Sequence, residues 1–66
     1  MKGDIMKTQN EFNEELQYIM NRHEDKDLTS FNNDKDCFNR YVDMQSNSAK
    51  REGFNKIASQ MLFHKL

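Results

Sequence analysis

Apolar residues recur at helical spacing in three stretches of the chain. In the first, Ile5, Phe12, Leu16, Ile19 and His23 fall within about 40° of one line when stepped at about 100° per residue, with Met20 at the edge. Such a pattern predicts an amphipathic helix with one buried face. Thr8 followed by Glu11 has the spacing of a capping box, and Asp4 offers an earlier cap, so the helix is expected to start between Asp4 and Gln9.

The run from His23 to Asp27 has no apolar member and reads as a loop. Leu28, Thr29 and Ser30 then supply capping chemistry before Phe31. From there Phe31, Phe38 and Val42 align, while Cys37, Tyr41 and Met44 widen the apolar arc, as expected for a second helix touching two neighbours and the most buried of the set. Its end can be read two ways. Ser46, Asn47 and Ser48 are poor interior residues and good caps, which favours a break at 46–48. The alternative runs the helix through Ala49 to Glu52 and ends it at Gly53, with Lys50 and Arg51 in the last turn. The first reading is preferred here, because glycine inside a helix costs about 1 kcal/mol relative to alanine.

In the last stretch Phe54, Ile57, Ala58, Met61 and Leu62 form a core stripe, whereas Phe63 points the opposite way, on the side of Lys56. No strand pattern, hairpin turn or internal repeat competes with the helical one. The expected fold is therefore all-α: a small three-helix bundle, or a helical hairpin plus a shorter helix, as one domain over residues 1–66.

Composition makes this a thin-cored bundle. Only 35% of the 66 residues are hydrophobic, and proline is absent, which leaves the helices uninterrupted. Ordering such a chain costs roughly 100 kcal/mol at about 1.5 kcal/mol per residue, so folding alone is marginal and a partner or a second copy would help. The single cysteine, Cys37, cannot form an intrachain disulfide, which favours a reducing, cytoplasmic setting. The longest apolar run, Met61-Leu62-Phe63, is far short of the roughly 18 residues of a membrane span, and the amino terminus lacks the hydrophobic stretch of a signal peptide. No membrane segment is expected.

Chemical motifs are sparse. Asp25, Asp27, Thr29, Phe31, Asn33 and Asp36 stand at the ligand positions of an EF-hand-like loop, but Ser30 replaces its turn glycine and Asp36 its bidentate glutamate. A solvated, capping loop is the expectation. His23, Cys37 and His64 are the only soft metal ligands and form no short local pair of the kind that zinc sites use. His23 extends the apolar stripe of the first helix and reads as a partly buried helix-end residue. Cys37 reads as a small core residue. The carboxylates of Glu11, Glu14 and Glu15 lie on or near the exposed face of the first helix, without the desolvated pocket a general acid needs. No phosphate-binding glycine loop or nucleophile elbow occurs. Neither catalysis, nor a cofactor, nor a bound metal is expected.

Arg40-Tyr41 followed by Ala49-Lys50-Arg51-Glu52-Gly53-Phe54-Asn55-Lys56-Ile57-Ala58 resembles the helix-to-helix junction of rubrerythrin-type ferritin-like proteins, over about a quarter of the chain. The resemblance implies a helical hairpin turning at Gly53 and a homo-oligomer. It does not extend to a di-iron centre: Asp34 stands where the family has a liganding glutamate, and Leu66 comes before the family's Glu-x-x-His motif.

Charge adds the last distinction. Residues 1–24 and 25–45 each carry −2, and residues 46–66 carry +3, within a formal net charge of −1. The basic tail, Lys50, Arg51, Lys56 and Lys65, could meet phosphates of a nucleic acid, although the pI near 6.1 is low for a DNA-binding module. Tyr18 and Phe63 fall off their core faces and Met44 sits at the edge of its own, which points to a protein partner. The expected function is a small non-enzymatic regulator or inhibitor of phage or mobile-element type that docks on a larger macromolecule. The contact set would be Tyr18, Met44, Lys56, Phe63, Glu11, Glu14 and Glu15. Nucleic-acid binding through the basic tail and a ferritin-like homo-oligomer are the alternatives.

Overall fold

A computed structural model describes residues 8–66, within which three α-helices form an all-α bundle with no strand among the described residues. Ile5 and the possible cap Asp4 lie outside the described residues.

Helix α1 (Gln9–Asp25) begins at the capping box read from sequence. Thr8 Oγ1 accepts the Glu11 N–H at 3.3 Å while Glu11 Oε1 accepts the Thr8 N–H at 2.8 Å, so two otherwise orphaned donors are satisfied reciprocally. The helix stops at Lys26, which turns left-handed with φ 55°, and the Asp27 N–H closes back on the Arg22 carbonyl at 3.2 Å. Phe12, Leu16 and Ile19 are its buried stripe.

The connection corrects the expected start of the second helix. Phe31 belongs to a 3-10 turn, Thr29–Phe31, rather than to the helix. Asn32 and Asn33 follow with φ 57° and 54°, left-handed positions that asparagine tolerates better than most residues. Only then does Asp34 cap α2 (Lys35–Arg51), its Oδ1 accepting the Asp36 N–H at 2.9 Å. Phe31 is nevertheless buried, its ring 5.3 Å from those of both Phe38 and Tyr41. Its apolar character is a packing signal, and the periodic match with Phe38 and Val42 is fortuitous.

The preferred break at 46–48 does not occur: α2 runs on to Arg51. Phe38, Val42, Ser46 and Ala49 make one continuous buried face, and the Ser46 hydroxyl donates to the Asp43 carbonyl one turn back at 3.0 Å, so its polar atom is satisfied inside the helix. Packing of that face overrides the capping preference of the three residues. The helix ends instead at Gly53, φ 94°, where the Gly53 N–H reaches the Lys50 carbonyl at 3.0 Å and the Phe54 N–H the Ala49 carbonyl at 2.8 Å, a Schellman closure. A Cβ on Gly53 would meet nothing within 4 Å, so only the backbone angle calls for glycine.

Helix α3 (Asn55–Phe63) buries Ile57, Ala58 and Met61. Leu62, expected in the core, is 45% exposed. It lies about 100° round from Met61, at the edge of the stripe and toward Phe63. Residues of all three helices and the 3-10 turn meet in one core, in which Phe12, Ile19, Phe38, Val42 and Met61 are fully buried. Helices α2 and α3 share the largest interface, and α1 packs across both. No helix is long and apolar enough to cross a membrane among the described residues.

Candidate functional site

The carboxyl-terminal end of the bundle concentrates what the core does not use. Phe63 is 86% exposed in the last turn of α3, beside the half-exposed Leu62. Its ring stands edge-on to that of His64, centroids 6.1 Å apart.

Three successive residues fix this end in place. His23 Nδ1, at the close of α1, lies 2.7 Å from the His64 carbonyl oxygen, and the Lys65 ammonium pairs with Asp43 at 3.0 Å. The side-chain amide of Asn39 brackets Leu66: Oδ1 accepts its N–H at 2.8 Å and Nδ2 donates to its carbonyl at 3.4 Å. Residues 64–66 are thus tied to α1 and α2 by polar contacts, and the Leu66 side chain adds apolar contact with the core. An open groove of about 290 Å³ runs alongside, lined by Met20, His23, Glu24, Phe63 and His64.

A second open groove, of about 410 Å³, lies at the start of α1 against the α2–α3 turn and is lined by Gln9, Gly53, Phe54, Asn55, Lys56 and Ile57. Near it the Phe12 and Phe54 rings pack 5.5 Å apart. Lys50, Arg51 and Lys56 are all exposed around this turn. They share the region with Glu52, so the positive patch is interrupted.

The predicted contact residues divide. Phe63 and Met44 are exposed, the latter at 62%, and Glu14 projects into solvent. Tyr18 is different: it is half-buried, with its ring 6.4 Å from Phe31 and 6.0 Å from Tyr41 and the Arg22 guanidinium 4.9 Å above it. It seals the α1–α2 seam. Glu11 is spent on the helix cap, and Glu15 accepts the Tyr41 hydroxyl across the same seam. Burial, reinforced by that bond and by the negative charge of Glu15, pushes the Tyr41 phenol well above its ordinary value of 10.0. Lys65 is engaged by Asp43.

The acidic loop has local employment. Asp27 Oδ1 accepts both the N–H and the hydroxyl of Thr29, and its Oδ2 meets Arg22 at 2.6 Å. The Thr29 hydrogen bonds, helped by the Arg22 charge, hold the Asp27 carboxyl below its usual range. Among the described residues no three His, Cys, Asp or Glu side chains converge to hold a metal ion. Cys37 is half-buried against the core.

Sequence reasoning missed the meeting of His23 and His64. They lie 41 residues apart, beyond any local spacing rule, and only the continuation of the α1 stripe to His23 hinted that this ring is covered. Comparison with protein-family models, with curated proteins and with solved structures finds no match.

Proposed function

We propose that the protein is a non-enzymatic regulator that works by docking a protein partner on the exposed face of α3. The observation that carries this reading is Phe63, an aromatic side chain 86% exposed on a helix whose neighbours hold it in place. Leaving a large apolar ring in water is unfavourable by roughly 1.5–3 kcal/mol relative to burial, and aromatic side chains on rigid elements are the usual anchors of interfaces. Leu62 widens the apolar patch, and Lys56 lies on the same side of α3 as Phe63, so a partner presenting an apolar pocket is the best complement. Of the α1 carboxylates expected at the contact, the exposed Glu14 is the one this reading keeps, since Glu11 caps the helix and Glu15 holds Tyr41. The cytoplasmic setting belongs to the same reading, resting on the lone cysteine.

The test compares the parent chain with Phe63→Ala and Phe63→Glu as baits. A host protein retained by the parent, lost from both variants and rebound by the purified components supports the proposal. Equal retention by all three baits overturns it. The exposure of Lys50, Arg51 and Lys56 about Gly53 favours a second reading, nucleic-acid binding. That reading predicts affinity for DNA or RNA that falls steeply with salt and with Lys56→Ala, while Phe63→Ala leaves it unchanged.

A further inference from the structure

The carboxyl-terminal end holds a pair of imidazoles that the docking reading does not use. His23 Nδ1 is 2.7 Å from the His64 carbonyl, and His64 Nδ1 is 2.7 Å from the Gln60 carbonyl. A carbonyl oxygen only accepts, so each Nδ1 carries its hydrogen, and in the neutral ring the lone pair then resides on Nε2. This is the arrangement in which metal-binding histidines are found: one ring nitrogen donates to a carbonyl, which fixes the tautomer and orientation and raises the basicity of the other.

The two rings also stand at a suitable separation. Their centroids are 5.3 Å apart, with planes at 89°. Two imidazoles sharing one tetrahedral ion at metal–nitrogen distances of about 2.0–2.1 Å place their centroids roughly 5 Å apart. Both rings line the same open groove of about 290 Å³, together with the Met20 and Glu24 side chains, so an ion has access from solvent. Negative charge from Glu24 on the rim favours a cation there.

We propose that His23 and His64 form a two-imidazole site for a divalent transition metal of the zinc, nickel or copper class, bound through Nε2 of both rings. Imidazole suits these ions, whereas calcium and magnesium require oxygen donors. No third His, Cys, Asp or Glu completes a protein-only set among the described residues, so the remaining positions belong to water. An ion held this way bridges the end of α1 to the residue that follows α3. It binds only the folded chain, because the unfolded chain does not hold residues 41 apart together.

The test uses the full chain in a Cys37→Ser background, which removes the thiol as a competing ligand, stripped with chelator and titrated with Zn²⁺. The chain has only two histidines, so their ring protons and nitrogens are resolved by nuclear magnetic resonance. The proposal expects both rings to shift together and saturate at one equivalent, with a rise in melting temperature. His23→Gln and His64→Gln should each lower the affinity at least tenfold and abolish the melting shift. His64→Gln leaves the backbone carbonyl that His23 uses, so it serves as the second variant should His23→Gln fail to fold. Absence of any shift overturns the proposal, as does independent movement of the two rings or a response of either ring that keeps its affinity after loss of the other.

Discussion

Tyr41 on α2 donates its hydroxyl hydrogen to the carboxylate of Glu15 on α1, with both side chains half-buried. Tyr41→Phe removes the bond and leaves Glu15 without that donor, a loss of about 1 kcal/mol for a hydrogen bond partly open to water. The pH dependence follows from the raised phenol value. The folded state favours the neutral phenol, so its contribution is complete below the unfolded value of about 10 and fades as pH rises through the higher folded value. Urea melts at neutral pH and above pH 10 should show an alkaline loss of stability in the parent that is smaller in Tyr41→Phe. Parallel loss in both proteins would contradict the assignment.

Asp27 works at the opposite end of the scale. Its carboxyl value is lowered, chiefly by Thr29, so its stabilising contribution is present above the ordinary value of 3.8 and disappears as pH falls through the folded value. Asp27→Asn should therefore weaken the fold at neutral pH and flatten the acid limb of a stability profile below about pH 4. An unchanged acid limb would show that the α1–α2 connection does not depend on this charge.

Phe31 and Phe63 make a paired test of burial. Phe31 is 8% exposed and central to an aromatic cluster, so Phe31→Ala should cost about 3–5 kcal/mol, comparable to the whole stability of a domain this small, and circular dichroism should show a largely unfolded chain. Phe63→Ala should stay within about 0.5 kcal/mol of the parent while removing the docking anchor.

Gly53→Ala isolates a backbone effect. With φ at 94° and no atom within 4 Å of a would-be Cβ, the cost is conformational, about 1–2 kcal/mol, and Gly53→Asn should recover part of it. A neutral Gly53→Ala in a denaturant melt would mean that the turn relaxes to another angle.

These residues also show how far the chain could be read in advance. The Thr8 and Glu11 cap and the α1 stripe were legible because both are local and periodic. Gly53 was legible only as an alternative, since 46–48 carries stronger capping chemistry, and the burial of Ser46 that overrules it is a property of three dimensions. Phe31 mimicked the helical period from a 3-10 turn, and Leu62 shared the stripe of α3 without reaching the core. Tyr18 looked like a surface aromatic because its cover comes mainly from Phe31 and Tyr41, distant in the chain, with Arg22 one turn along α1 completing it. At the candidate site, the angle of Phe63 on the helix placed it off the core stripe, and its exposure is what the structure adds. The meeting of His23 with His64 had no local signature.

Residues 64, 65 and 66 are latched in succession to His23, Asp43 and Asn39. The exit from α3 is therefore moored to two helices by three unlike contacts, so that loosening any one of them leaves the other two to steady Phe63.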